Sequence, residues 1–179
     1  MRALEYRRLS PEAFAVYGTY AAMEDPEANG RPAARIGHPP VEFFRDLVQS
    51  SIGQDTTVSF GVCRVGPRPP VIDASEYHDG SCEALIPLDG DVLVHVAPAV
   101  PGDRFPTELA EVFLVPRGTL IVLRPGVWHH GPFVLGSERV SCLVALPERL
   151  YARDCRSIIV PEEDRIRISG RGLEAAAQT

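Results

Sequence analysis

Two carboxylates and two imidazoles stand at spacings that suit one reactive site. Glu76, His78 and Glu83 share the run Glu-Tyr-His-Asp-Gly-Ser-Cys-Glu, with Gly90 seven residues on. His129 follows in Pro125-Gly126-Val127-Trp128-His129. Glu76 and His78 are two apart, so in extended chain both face one side. Glu83 lies five residues past His78, and the Asp79-Gly80-Ser81 turn must restore its inward direction. Pro125-Gly126 reads as a turn that launches the segment carrying His129. Such a set can hold a divalent transition metal with open positions, or run general acid–base chemistry. His78, Glu83, His129 and Glu76 are the candidate metal ligands. Glu83, His129 and Glu76 are also the candidate catalytic groups.

Something must carry these side chains to one point. From residue 56 the chain is a series of short runs rich in β-branched and aromatic residues. They cover 56–65, 71–74, 84–88, 92–97, 111–115, 119–123, 140–146 and 157–160. Turn chemistry separates them: Gly66-Pro-Arg-Pro-Pro, Asp89-Gly90, Pro116-Arg-Gly118 and Pro125-Gly126. Asp89-Gly90 favours a type I′ hairpin. Many short strands with close turns and no helices between them predict a mainly β fold, an antiparallel barrel or jelly roll.

The N-terminal third reads differently. Ser10-Pro11-Glu12 opens a helix, with serine as cap, proline at the first helical position and an acid in the first turn. Gly18 ends it after Phe14 and Tyr17. Residues 24–40 are rich in Pro, Gly and Ala and read as a surface loop. Residues 41–50 place Phe43, Phe44, Leu47 and Val48 on one helical face, which predicts a second short helix. A single domain over 1–168 and a disordered tail over 169–179 complete the expectation.

Composition narrows the function classes. The 179 residues are enough for one core and short for two. A net charge of −6 argues against nucleic acid as the main partner. No run reaches the roughly 18 apolar residues of a membrane span. The N-terminus has no apolar stretch of the signal-peptide kind, so a cytoplasmic location is expected. All 18 basic residues are arginine, which rules out Schiff-base chemistry on a lysine side chain. Cys63, Cys82, Cys142 and Cys155 form no Cys-x-x-Cys pair and read as reduced core residues. No nucleotide or organic redox cofactor is expected.

The two motifs resemble those of the cupin superfamily, with Glu76 in the place of the first motif histidine and His78, Glu83, Gly90 and His129 in the others. A closer resemblance covers most of the chain. Residues 9–18 (Leu-Ser-Pro-Glu-Ala-Phe-Ala-Val-Tyr-Gly), Glu76-x-His78, Ala84-Leu-Ile-Pro-Leu88 and Gly126-Val-Trp-His-His130 are similar, in order, to the ureidoglycolate lyases of allantoin and purine breakdown. The chain departs from that pattern in having Glu83 for a usual Gln, and Leu123-Arg124 for a usual Tyr-His. It also has His-His-Gly-Pro for His-His-Pro.

The resemblance implies a cupin barrel, a homodimer, and cleavage of ureidoglycolate to glyoxylate and urea. The substrate would then be a small carboxylated metabolite. Arg64 or Arg124 is the candidate to fork its carboxylate, and Trp128 is read as a core aromatic or a pocket wall. His130 should point away from His129. His95 alternates within its strand and is a weaker candidate, and His38 sits in the loop in solvent. Two other classes remain open. One is a metal-dependent cupin isomerase or dioxygenase on another small acid. The other is a non-catalytic cupin that only binds a small molecule.

Overall fold

The β-branched and aromatic runs all become strands in the computed structural model, which describes residues 1–30, 34–51, 53 and 57–173. The first eight strands are β1 (Arg2–Glu5), β2 (Arg7–Arg8), β3 (Gly18–Ala22), β4 (Ala34–His38), β5 (Val41–Arg45), β6 (Val58–Val65), β7 (Val71–Ile72) and β8 (Ala74–Tyr77). There follow β9 (Glu83–Pro87), β10 (Val92–Val96), β11 (Glu111–Val115), β12 (Thr119–Leu123), β13 (Phe133–Val134), β14 (Val140–Pro147), β15 (Arg156–Ile159) and β16 (Ile166–Ser169). Two one-turn helices are α1 (Pro11–Phe14) and α2 (Leu150–Arg153). The protein is mainly β.

Two sheets carry the core. One has five strands in the order β3-β12-β9-β14-β6, the other four in the order β13-β10-β11-β2. Leu85, Ile121 and Cys142 of the first pack against Val92, Val94 and Phe113 of the second. On its far side the four-stranded sheet is covered again: Leu93, Val112 and Phe133 meet Ile72, Ile166 and Ile168 of a third sheet, β1-β16-β7. This double cover explains why all five residues of β10 are buried. The outer face of β6 has no such cover, and Phe60 and Val62 are exposed there.

Several expectations need correction. No closed barrel is detected among the described residues; the strands form separate sheets. Helix α1 forms as the capping signals require, with Ser10 Oγ accepting from the Ala13 amide. The second helix does not form. Residues 41–45 pair with 34–38 as an antiparallel ribbon, because Val41, Phe43 and Arg45 also alternate at strand spacing. The loop over 24–40 is therefore partly strand, and the exposed His38 is its last residue.

Asp89-Gly90 is not a hairpin turn. β9 and β10 lie in different sheets, and neither residue has the positive φ that a type I′ turn demands. Asp89 instead accepts the Ser141 amide at 2.6 Å. The C-terminal segment is ordered further than composition suggested. Ser169 ends β16 and Leu173 is buried in the second core cluster. Residues 174–179 of the expected tail lie outside the described residues.

Candidate active site

Strand pairing assembles the site. Glu76 and His129 form an antiparallel bridge, with the Glu76 amide donating to the His129 carbonyl at 2.6 Å and the His129 amide returning at 2.8 Å. Residues directly opposite in such a bridge project to one side. His78, two residues beyond Glu76, shares that side. Glu76, His78 and His129 consequently present ligand atoms that all lie within 4.8 Å of one another. Glu83 comes from the other sheet as the first residue of β9, and it faces the same space.

The turn before His129 is the one the sequence announced. The Val127 amide donates to the Arg124 carbonyl across Pro125-Gly126, and Gly126 has φ +78°, where a side chain is strained. The Gly126 amide also donates to the His78 carbonyl at 2.7 Å, tying the two motifs together.

Hydrogen bonds fix the tautomers of both imidazoles. His78 Nδ1 lies 2.8 Å from the Asp154 carbonyl, and His129 Nδ1 lies 2.8 Å from the Val127 carbonyl. A carbonyl only accepts, so each Nδ1 carries the proton and each Nε2 is turned inward. Both Nε2 atoms approach Glu83 Oε2, at 3.3 Å from His78 and 3.2 Å from His129. The His129 contact is a directed hydrogen bond, whereas His78 Nε2 is buried with no properly directed partner. Two neutral Nε2 lone pairs against a carboxylate oxygen would repel. The cluster therefore calls for a cation, either a proton on imidazole or a metal ion.

The electrostatics agree. Burial favours the neutral form of Glu83, but the charge and hydrogen bond of His129 and the close approach of His78 outweigh it and hold the carboxyl down to about 2. Burial opposes a charge on His129, yet Glu83, the Val127 carbonyl and Glu76 raise its pKa above the ordinary value. Both directions favour a buried pair of imidazolium and carboxylate. Burial, then Glu76, pushes the Cys155 thiol up to about 11, and its Sγ donates to Glu76 Oε2 at 3.5 Å.

Three residues near the site had no signal in the local sequence. Asp154 accepts the Asp79 and Gly80 amides on its two carboxylate oxygens, at 2.8 and 3.1 Å, while its carbonyl holds His78. Tyr151 of α2 sets its ring perpendicular to that of His78, centroids 6.2 Å apart. Cys155 is the third. All three lie more than seventy residues from His78, beyond the reach of spacing arguments.

Other candidates stand elsewhere. Arg64 is exposed on β6, on the face opposite the inward Cys63. Arg124 lines a different cleft of about 230 Å³ with Pro11, Phe14 and Tyr20. Trp128 is 1% exposed and packs on Tyr77 and Phe105, so it is core and not a pocket wall. His95 is buried between the sheets and bonds Ser75 Oγ at 3.1 Å. His130 is half-buried.

A cleft of about 590 Å³ opens beside the cluster. Its floor includes Gly61, Cys63 and Val144, and α2 roofs it with Leu150 and Tyr151. Leu85, Val144 and Gly61 stand opposite one another across β9, β14 and β6. Glu83, two residues before Leu85, projects to that same sheet face. Imidazoles and carboxylates buried between two β-sheets, next to an open cleft, define a small β-sheet enzyme with a site for acid–base or metal-assisted chemistry.

The chain belongs to the ureidoglycolate lyase family, whose model matches residues 1–167. It is a carbon–nitrogen lyase that cleaves ureidoglycolate to glyoxylate and urea. No curated protein matches the chain. Among solved structures it is similar to a dTDP sugar isomerase from Desulfovibrio desulfuricans G20, at 16% identity and TM-score 0.44, covering 83% of this chain and 89% of that one. It is also similar to dTDP-6-deoxy-D-glucose-3,5-epimerase RmlC from Legionella pneumophila Philadelphia 1, at 13% identity and TM-score 0.45, covering 80% and 83%. A Bacillus subtilis oxalate decarboxylase structure described for its Mn(II) centres shows 15% identity and TM-score 0.41, covering 69% and 34%. None of these likenesses bears on the activity.

Proposed function

We propose that Glu76 and His129 are the base and acid of the lyase reaction. In ureidoglycolate a hydroxyl and a ureido nitrogen share one carbon next to a carboxylate. Glu76 takes the hydroxyl proton and the oxygen lone pair closes to a carbonyl. The carbon–nitrogen bond breaks with its electron pair on nitrogen, and the Nε2 proton of His129 passes to that nitrogen. Glyoxylate and urea leave, and Glu76 returns its proton to His129, so no net proton is consumed. The observation that carries this reading is the Glu76–His129 bridge, which sets a carboxylate and a protonated imidazole on one side of the chain.

Glu83 is the orienting charge. It keeps His129 protonated and turns both Nε2 atoms inward. Glu76 is half-buried and forms no ion pair among the described residues; the Cys155 thiol donates to its Oε2.

The same donors fit a divalent transition metal. Glu76, His78 and His129 would hold it, and the buried Nε2 of His78 that lacks a directed partner supports the fit. Such an ion supplies Lewis acidity toward the substrate hydroxyl. The carbonyl-bound Nδ1 atoms leave each Nε2 lone pair available to it.

The domain spans 1–168 and is of the cupin jelly-roll type, a reading supported by the division of β9 through β14 between two facing sheets, β9, β12 and β14 in one and β10, β11 and β13 in the other. It works in the cytoplasm as a homodimer. Ile36, Val41 and Phe43 are exposed on the two-stranded β4–β5 ribbon, an element that is marginal on its own and suits burial against a second copy. No helix of the described chain is long and apolar enough to cross a membrane.

The decisive assay mixes ureidoglycolate with the protein as purified and after chelation, and measures urea and glyoxylate with metal content. Equal release of both products by the metal-free protein is expected. Release by neither form would overturn the reading, and release only by a metal-loaded form would replace the imidazole proton with the ion.

A further inference from the structure

We propose that Arg149 anchors the substrate carboxylate at the mouth of the cleft and so selects anionic substrates. The inference rests on the lyase reading and names a residue that nothing else assigns. The cluster itself presents two carboxylates, Glu76 and Glu83, to any entering molecule. An anionic substrate brings a third carboxylate toward them and needs a cation to offset it. Arg64 and Arg124, the arginines that the sequence suggested, stand on other surfaces.

Arg149 is the one charged residue among those lining the 590 Å³ cleft, whose other walls are mostly apolar. It directly precedes α2, and two residues on Tyr151 meets the His78 ring. Its position relative to the chemistry is therefore tied through one helical turn to an imidazole of the cluster. Its backbone is left-handed, φ 57°, a conformation shared by Asp46 alone among the described non-glycine residues. That region is costly for a residue with a side chain, and glycine or asparagine would fill it more easily. Among the described residues its guanidinium pairs only with the neighbouring Glu148, at 3.1 Å and largely in solvent. A contact of that kind is weak and leaves the fork available for a ligand.

Gly61 supports the same placement. A β-carbon built there meets nothing within 4 Å, so the floor of the cleft is open space on the sheet face that Glu83 shares. A molecule lying over Gly61 would turn its carboxylate toward Arg149 and the adjoining carbon, with its hydroxyl and ureido nitrogen, toward the cluster.

The experiment compares wild type with Arg149→Gln, Arg149→Lys and Gly61→Leu, reading steady-state urea release and calorimetric binding of glyoxylate. Arg149→Gln should raise KM by ~10- to 100-fold, the range of a hydrogen bond to a charged group, with kcat within a few-fold. Glyoxylate binding should weaken by a similar factor, and Arg149→Lys should recover part of both. Gly61→Leu should block turnover while its melting temperature stays near wild type. An unchanged KM and unchanged glyoxylate binding in Arg149→Gln would overturn the proposal. A wild type that releases no urea would sink the lyase reading separately. The glyoxylate titration then still decides for Arg149, by its loss or its persistence in Arg149→Gln.

Discussion

Two buried histidines in this protein are driven in opposite directions. His129 is 4% exposed and His95 is 1% exposed, so burial alone would make both neutral. His129 faces Glu83 and Glu76 and is raised above the ordinary imidazole value. His95 is lowered well below it, by burial first and then by the charges of His129, His130 and Arg68. Its surroundings are the rings of Phe105 and Phe133 and one hydroxyl, Ser75. Ser75 gives its single proton to the His129 carbonyl, so His95 Nε2 must donate to Ser75 and Nδ1 is left bare. One histidine faces two carboxylates and the other a single hydroxyl. Carboxylate contact separates them, and depth in the fold does not.

The largest test of that contrast is to remove the acid and the base. Glu76→Gln and His129→Asn should each lower kcat by ~10²–10⁴-fold, the usual worth of a positioned proton-transfer group. Urea release gives the rate, and circular dichroism confirms that the fold persists. A Glu76→Gln variant with near-normal kcat would hand the proton chemistry to Glu83. The next effect down is indirect. Asp154→Ala removes the clip on the Asp79 and Gly80 amides that keeps the His78 loop in place. It should cost ~1–2 kcal/mol of stability, measured by urea denaturation, and lower kcat by about tenfold.

The sequence made one of these two histidines legible and left the other ambiguous. His129 was marked by the Pro125-Gly126 turn and by Glu76-x-His78 upstream, both of which act locally. The strand runs were legible for a similar reason, since alternation and β-branched residues declare themselves within five to eight positions. Failures came where the outcome was set at a distance. Phe43 and Phe44 fit a helix or a strand, and pairing with residues 34–38 chose the strand. Asp89-Gly90 looked like a hairpin, but β9 was claimed by β12 and β14 on both sides. Arg64 falls outside the site by a parity of one: Cys63 faces inward, so its neighbour cannot. Asp154, Tyr151 and Cys155 reach the site only because β15, which follows them directly, pairs with β8.

Smaller effects probe how Glu83 sets the charge state. Glu83→Gln removes the carboxylate that raises His129, so the His129 pKa falls. Activity that needs imidazolium should then fade at lower pH than in wild type, moving the alkaline limb of the rate profile downward. Stability follows from the same shifts in the metal-free protein. Glu83 is lowered, so its contribution is complete above the ordinary carboxyl value of 4.5 and is lost as pH falls toward about 2. His129 is raised, so its contribution is complete below 6.5 and is lost as pH climbs through its folded value. Chemical denaturation from pH 2 to 9 should show both slopes in wild type and flatten both in Glu83→Gln. An unchanged alkaline limb would mean that another group sets it.

The smallest effect is expected at His95. His95→Phe should leave kcat within about threefold and stability within about 1 kcal/mol. Two opposed changes produce that near balance. The variant deletes a buried Nδ1 that has no partner, a gain of the order of the penalty for one unsatisfied polar atom. It also leaves Ser75 Oγ without its donor, although that hydroxyl keeps its bond to the His129 carbonyl. A phenyl ring fits the aromatic walls that Phe105 and Phe133 already provide. Thermal melting and urea release measured side by side separate the outcomes. If kcat collapsed while the melt held, the Ser75 link to the His129 backbone would be steering the acid, and the two histidines would belong to one device.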